Sequence, residues 1–245
     1  LFSGALILFA LVKPSVAAPF MWVVLLAPGR MRPALLVGTG YCGLTLLASS
    51  FQEAGLCSLL TEWLARASRM SISAGESNLH IWLASLGLVR WIGPASALAL
   101  LSLGAWVWRN RRVDQWIIIG VCALIARFWT YHRWYDDLLV LLPMIALLRT
   151  SKRGPAGGTS DVVAGILLAM TLGSTMAPGG LYLLTVPWRQ AYVFAQVLVW
   201  VAVLVFLMTE SRRQRVQGSA GRPSACQHIC PDRRRRRSMQ PRPTG

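Results

Sequence analysis

Apolar and polar residues alternate along this chain in long blocks. Apolar runs near the length of about 20 residues needed to cross a bilayer recur up to about residue 208. Short polar turns separate them, and we predict spans at about 1–27 (interrupted by Lys13-Pro14), 33–50, 94–108, 116–129, 138–148, 162–176 and 191–208. The pattern predicts an all-α fold, a polytopic transmembrane helical bundle over residues 1–210.

Two parts of the chain break this pattern. Residues 51–93 form a long amphiphilic loop, in which we predict an interfacial helix at Leu56–Arg69 and a short apolar piece at Leu79–Val89. Residues 211–245 are rich in Arg, Pro and Ser and lack apolar periodicity, which predicts a disordered basic tail. That tail either serves membrane topology alone or binds anionic lipid headgroups.

Composition agrees with a membrane protein. Hydrophobic residues make up 55% of the chain and the mean hydropathy is +0.50. The net charge of +16 suggests a nucleic-acid partner at first, but ten of the 25 basic residues lie beyond Glu210 and most others lie in short loops. We therefore expect that the protein has no nucleic-acid partner. Because the chain begins at Leu1 within an apolar run, we expect it to be the C-terminal part of a longer protein.

The basic residues also predict an orientation. Alternate turns carry eleven of them on one side and six on the other, and the richer side is assigned to the cytoplasm. The loops 51–93, 127–137 and 177–190 then face the exoplasm, and the C-terminal tail is cytoplasmic. We predict a multi-pass protein of the plasma (inner) membrane.

The stretch Arg127–Asp137 is the strongest candidate for chemistry. His132, Asp136 and Asp137 lie between two apolar runs, where ionisable residues usually face an aqueous cavity or one another. A histidine beside carboxylates offers a general base and an orienting partner, and Tyr131 and Trp134 are suited to stacking on sugar rings. Alternatively, these charges and the neighbouring arginines only pair at a helix end.

Three further residues fall on the predicted exoplasmic side. Lys13 lies in the outer part of the membrane by helical count, where it either snorkels beside a Pro kink or provides a fixed cation for a lipid phosphate. Asn78 and His80 precede the apolar piece of the long loop. A single histidine in a loop is more often without a function.

Several kinds of chemistry are not indicated. The chain has no P-loop, GxSxG elbow, HExxH or Asp-x-Asp motif. Cys226, His228 and Cys230 supply only three ligands, at a spacing that fits no common zinc site. We expect no metal and no cofactor.

The motifs in their order resemble glycosyltransferase family 87, the polyprenyl-phosphate-mannose-dependent mannosyltransferases of GT-C architecture. The resemblance rests on Leu11-Val-Lys13-Pro14 with Pro19-Phe-Met-Trp-Val-Val-Leu-Leu, on Asn78-Leu-His80, and most specifically on Trp129-Thr-Tyr-His-Arg-Trp-Tyr-Asp-Asp137 leading into Leu138-Leu-Val-Leu-Leu-Pro143. It covers roughly residues 1–208.

This resemblance implies transfer of a sugar, with mannose expected, from a polyprenyl-phosphate donor to a glycolipid or glycan acceptor on the exoplasmic face. By the same resemblance, Lys13 would bind the donor phosphate, and His132, Asp136 and Asp137 would supply the catalytic base or bind the sugar. Asn78, His80, Tyr131 and Trp134 would bind substrate, and membrane lipids would surround the enzyme.

The sequence departs from the family pattern in two ways. GT-C enzymes typically carry an acidic residue on their first exoplasmic loop, which would lie upstream of Leu1, and His80 stands where a small hydroxyl residue is more usual. Two other interpretations therefore stay open. One is a transporter or flippase, which the one-sided clustering of ionisable residues disfavours. The other is a non-catalytic, truncated membrane subunit.

Overall fold

The computed structural model describes residues 14–26, 31–53, 55, 57–59, 61–62, 65–66, 79–129, 138–153, 159–175 and 184–220. The regular structure of these residues is entirely helical, as the sequence predicts. The helices are α1 (Pro14–Leu26), α2 (Met31–Ser49), α3 (Leu79–Ser85), α4 (Ile92–Asn110), α5 (Gln115–Trp129), α6 (Leu141–Arg153), α7 (Thr159–Thr175) and α8 (Val186–Ala220). A 3₁₀ turn, Val89–Trp91, leads directly into α4.

Helix α5 forms the centre of the described bundle. It packs against α1, α6 and α8, and it is the helix with residues buried on nearly every side. Its sequence suits this position, because a helix that is apolar all round lies either in a protein core or in a membrane. The core around it includes Ile117, Val121, Leu124, Leu147, Trp200, Val203 and Leu207.

Helix α7 packs antiparallel to both α6 and α8 and completes the bundle. The Ser160 hydroxyl, at the start of α7, donates to the Glu210 carboxylate near the end of α8 at 3.2 Å. At the opposite end, the Tyr192 hydroxyl near the start of α8 donates to the Ser174 carbonyl at the end of α7. Polar contacts thus fix both ends of this helix pair, while apolar side chains fill the middle.

One end of the bundle, which we call the basic end, collects the C-terminal ends of α4, α6 and α8. Arg149 Nε of α6 lies 3.8 Å from Asp114 Oδ2, just before α5. The Asp114 backbone N–H donates to Gln214 Oε1 of α8 at 3.3 Å. The described basic side chains here are Arg109, Arg111, Arg112, Arg149, Lys152, Arg212, Arg213 and Arg215. The basic turns after α4, α6 and α8, which the sequence assigned to the cytoplasmic side, therefore lie together at one end of the bundle.

By length and composition, two of the described helical segments could cross a membrane. They are Val89–Asn110 and Val186–Gln217, and only 22% and 17% of their most apolar windows are buried inside the bundle. The core helix of a soluble protein is mostly buried, so the low buried fraction of these two segments is unlike that of such a core helix. Their outward faces carry large apolar side chains, among them Leu98, Leu101, Phe194, Leu198 and Val205.

Helix boundaries depart from the sequence interpretation at two places. Helix α8 continues to Ala220, so residues 211–220, which we assigned to the disordered tail, are helical. Arg and Gln are good helix formers and neither Gly nor Pro interrupts the chain before Gly218, so the helix extends past the apolar span. Residues 221–245, with the run Arg233–Arg237, lie outside the described residues. Helix α6 likewise extends beyond its apolar run, to Arg153.

The other local predictions concern the first half of the chain. Helix α1 begins at Pro14, where the sequence predicted an interruption, and Pro is well suited to a first helical position. The predicted interfacial helix Leu56–Arg69 is described only in parts, which are helical. Within it, Arg66 and Glu62, four residues apart along the chain, form an exposed ion pair at 2.9 Å.

Candidate functional site

The structure describes one residue of the predicted site, His80, on α3. The remaining predicted site residues lie outside the described residues: Lys13, Asn78, Tyr131, His132, Trp134, Asp136 and Asp137. However, Trp129, the first residue of the motif Trp129–Asp137, is described as the last residue of α5. The part of the predicted site that the structure describes is therefore the surroundings of His80 and Trp129.

These two residues are in contact. His80 is 7% exposed, and its ring meets the Trp129 indole edge-on, with ring centroids 5.3 Å apart and an interplanar angle of 88°. The third member of the cluster is Ser96, in the second turn of α4, whose Oγ lies 3.5 Å from His80 Nε2. Three helices thus meet at these three side chains, which we call the His80 cluster, at the end of the bundle opposite the basic end.

Hydrogen bonding at Ser96 fixes the orientation of the cluster. The Ser96 hydroxyl donates its proton to the Ile92 carbonyl at 2.7 Å. Its oxygen accepts from Trp129 Nε1 at 2.8 Å. With its proton engaged, the hydroxyl can only accept from His80, so the proton on the His80 ring belongs on Nε2. The resulting Nε2–H contact with Ser96 Oγ is weak, at 3.5 Å.

This tautomer leaves the second nitrogen of His80 as a hydrogen-bond acceptor. Nδ1 is buried and has no hydrogen-bond partner among the described residues. Burial lowers the pKa of His80 below its usual value of 6.5, so the imidazole is neutral at pH 7. A buried, neutral imidazole with a free lone pair can accept a hydrogen bond from a hydroxyl group or remove its proton.

Arg127 is a second feature of this end of α5, and sequence reasoning assigned it only to loop charge or ion pairing. The side chain is 8% exposed, and its guanidinium carbon lies 4.6 Å from the centroid of the buried Trp200 ring. A desolvated cation over an indole face is a favourable arrangement. The sequence did contain a signal, since Arg127 continues the helical spacing of the buried residues Gly120 and Leu124.

The described part of the site therefore combines a neutral histidine, an indole and a serine hydroxyl, and Arg127 lies one half-turn earlier on α5, against α8. Trp129 connects this group directly to the motif that carries His132 and Asp137 in the sequence. The structure brings His80 to that motif's first residue, which the separation of the two segments along the chain did not reveal. Among the described residues, no group of three or more His, Cys, Asp or Glu side chains is arranged to hold a metal ion.

Comparisons of the chain with protein-family models, with curated proteins and with solved structures find no match.

Proposed function

We propose that this protein is a membrane glycosyltransferase that transfers a sugar, with mannose the first candidate, from a polyprenyl-phosphate donor to a glycolipid or glycan acceptor. The observation that carries the proposal is the contact between His80 and Trp129. Each residue belongs to one of the separate motifs by which the sequence resembles the family-87 enzymes. Their contact is what a single site built from both motifs requires.

The apolar surface supports a membrane location for this activity. Two described helical segments are long and apolar enough to cross a bilayer, and their large outward side chains favour lipid over water. We propose a multi-pass arrangement in the plasma (inner) membrane, with the basic end and the tail in the cytoplasm. The His80 cluster would then lie towards the exoplasmic face, where a lipid-linked donor and an acceptor can meet.

In the proposed reaction, an acceptor hydroxyl attacks the anomeric carbon of the donor sugar. A new C–O bond forms as the bond from the anomeric carbon to the phosphate oxygen breaks, and the configuration inverts. The hydroxyl proton passes to a base, for which His132 and Asp137 are the candidates, and polyprenyl phosphate leaves with the electron pair. Lys13 would stabilise the charge on the departing phosphate.

His80 would bind substrate in this scheme. With Nε2 directed at Ser96, its free Nδ1 lone pair can accept a hydrogen bond from a sugar hydroxyl. Asn78, Tyr131 and Trp134 would complete the contacts by amide hydrogen bonding and by stacking on the sugar. Because Nδ1 is buried, a hydroxyl bound there would be held with little competition from water.

The test is sugar transfer in membranes that contain this protein, supplied with radiolabelled polyprenyl-phosphate mannose. We expect label to move to a lipid or glycan acceptor with the wild type and to be lost with Asp137→Asn, His132→Ala and Lys13→Ala. A matched control is Asp161→Asn, which removes a carboxylate from the first turn of α7, near the basic end. That variant should retain transfer.

Two results would contradict the proposal. Wild-type protein that inserts normally but transfers no label from any of several donors would favour a transporter, flippase or non-catalytic subunit. Equal activity of wild type, Asp137→Asn and His132→Ala would remove the Trp129–Asp137 motif from the mechanism. In His80→Ala, a raised KM with little change in kcat would support substrate binding by His80.

A further inference from the structure

The basic end of the bundle contains a cleft of about 1130 Å³, well separated from the His80 cluster. It lies between the last turn of α4, the connection into α5, and the end of α8. Its lining includes Trp108, Arg109, Asn110, Arg111, Arg112 and Arg215. Along α4, Ser96 and Arg109 are separated by about 20 Å at 1.5 Å per residue, so the two sites are distinct.

The charge of this cleft is one-sided. Four arginines line it, and no carboxylate is among its described lining residues. Two described carboxylates at this end, Asp114 and Glu210, are engaged by other side chains, and Glu210 Oε1 also accepts from Gln214 of the lining at 3.5 Å. Asp114 lies 3.8 Å from Arg149, and Glu210 accepts from Ser160 and lies 3.9 Å from Arg213. The arginines of the cleft therefore produce a positive potential that an anion can neutralise.

Two buried polar atoms in the lining also have no partner among the described residues. Arg215 Nη1 is a donor without an acceptor, and Asn110 Oδ1 is an acceptor without a donor. Asn110 is only 2% exposed, and its amide nitrogen already donates to the Trp106 carbonyl at 2.7 Å. Buried groups of this kind are normally satisfied by protein, water or ligand.

A third feature of the cleft is the stacking of Arg111 on Trp108, which restrains this cation. The guanidinium carbon of Arg111 lies 4.0 Å from the centroid of the Trp108 ring. Stacking on an indole restrains the planar guanidinium and leaves its N–H groups directed sideways, as an anion-binding fork requires. The lining thus contains a restrained cation, Arg111, and a donor, Arg215 Nη1, for which the described residues supply no acceptor.

We propose that this cleft binds a phosphate group, carried either by an anionic lipid headgroup or by a soluble phosphate compound. A guanidinium group can donate two parallel hydrogen bonds to two oxygens of a phosphate. Several arginines together match the charge of a phosphate better than they match the charge of a single carboxylate. Asn110 Oδ1 would accept from a headgroup hydroxyl or a protonated phosphate oxygen. Membrane orientation by positive charge needs only exposed arginines. It does not account for a concave lining in which a buried guanidinium N–H has no partner among the residues that the structure describes.

The experiment is calorimetric titration of the purified full chain in phosphatidylcholine nanodiscs. One arm titrates pyrophosphate, and the other titrates short-chain dihexanoyl phosphatidic acid, with dihexanoyl phosphatidylcholine as the zwitterionic control. Binding in the first arm alone assigns a soluble phosphate, binding in the second alone assigns a lipid headgroup, and binding in both assigns the phosphate group itself. Each of these results supports the proposal.

Matched arginine variants test the location. Arg215→Gln and Arg112→Gln should each weaken binding at least tenfold, whereas Arg212→Gln removes the same charge from the same end of α8 outside the cleft lining and should change it less than twofold. Arg215→Lys, which keeps the charge, should bind with intermediate affinity. Absence of binding in both arms, or equal weakening by Arg212→Gln and the two cleft variants, would overturn the proposal. Should Arg215→Gln fail to fold, the exposed Arg112 gives the same comparison.

Discussion

Replacing Gly104 by Ala tests the packing of α1 on α4. A Cβ atom at Gly104 would lie 2.8 Å from Trp22 Cε2, 2.9 Å from Cδ2 and 3.0 Å from Cζ2. Optimal carbon–carbon contacts are about 3.5–4.0 Å, so the indole would have to withdraw by about 0.7 Å. These atoms belong to the rigid fused ring, and the ring cannot bend out of the way as the end of a flexible side chain would.

The expected magnitude combines two opposing effects. Overpacking of this kind costs about 1–3 kcal/mol. Alanine in place of glycine within a helix contributes about 1 kcal/mol in the favourable direction. We therefore expect Gly104→Ala to lower the free energy of unfolding by about 1 kcal/mol, which lowers Tm by about 2–4 °C in a chain of this size.

A control glycine isolates the steric effect. Gly165 lies within α7, and a Cβ there would meet nothing within 4 Å. Gly165→Ala gains only the helix propensity, so its difference from Gly104→Ala measures the clash, about 1–3 kcal/mol. In a Trp22→Leu background the Gly104→Ala penalty should disappear, because the ring that causes it is gone.

The assay is thermal unfolding, in one detergent, of five purified proteins: wild type, Gly104→Ala, Gly165→Ala, Trp22→Leu and Trp22→Leu/Gly104→Ala. Each carries serine in place of the other four cysteines, so that a fluorescent maleimide reports exposure of the buried Cys122 thiol. Equal Tm values for Gly104→Ala and Gly165→Ala would refute the reasoning, since the two substitutions differ only in what the new methyl group meets. A Gly104→Ala penalty that persists unchanged in the Trp22→Leu background would refute it too.

Three further predictions concern charged and titratable groups. Burial lowers the pKa of His80. As the pH falls through about 6.5, the His80 imidazole therefore gains a proton in the unfolded chain but stays neutral in the folded protein. The free energy of unfolding should therefore decrease as the pH drops below about 6.5. Below this pH the Tm of His80→Gln should fall less steeply than that of wild type, and parallel curves of Tm against pH would contradict this. Arg127→Ala should destabilise by about 2 kcal/mol through loss of the buried contact with Trp200. Arg90→Ala, at an exposed cation–π contact, should lie within about 0.5 kcal/mol of wild type in the same thermal assay. Asp114→Ala should cost about 1 kcal/mol by removing the oxygen that accepts from the Trp116 backbone N–H at 3.1 Å, and an unchanged Tm would exclude that role.

Helix type and approximate position were predictable because they depend on local pattern. Apolar runs long enough to form helices, bounded by Pro, Gly and Arg, specify α4, α5 and α7 to within a few residues. The end of α8 was less predictable. Apolar periodicity stops near Met208, but the helix continues because the following residues retain helix propensity without an apolar face.

Sequence reasoning predicted the candidate site less completely, for a physical reason. It identified His80 and the motif beginning at Trp129 as separate features, but their contact through Ser96 depends on how α3, α4 and α5 pack. Ser96 itself gave no signal, because a serine in an apolar helix usually bonds its own backbone, and this one does so as well. The burial of Arg127 against Trp200 likewise depends on the approach of α8 to α5.

The sequence by itself determined that the described chain is helical, where its main apolar segments lie, and that its basic residues fall in alternate turns. These properties depend on hydrophobicity and propensity within a few helical turns. The tertiary structure alone decided that α5 is central, that a serine joins His80 to Trp129, and that arginines from α4 and α8 line a single cleft. These relations join residues far apart in the chain, and only the packing of whole helices brings such residues into contact.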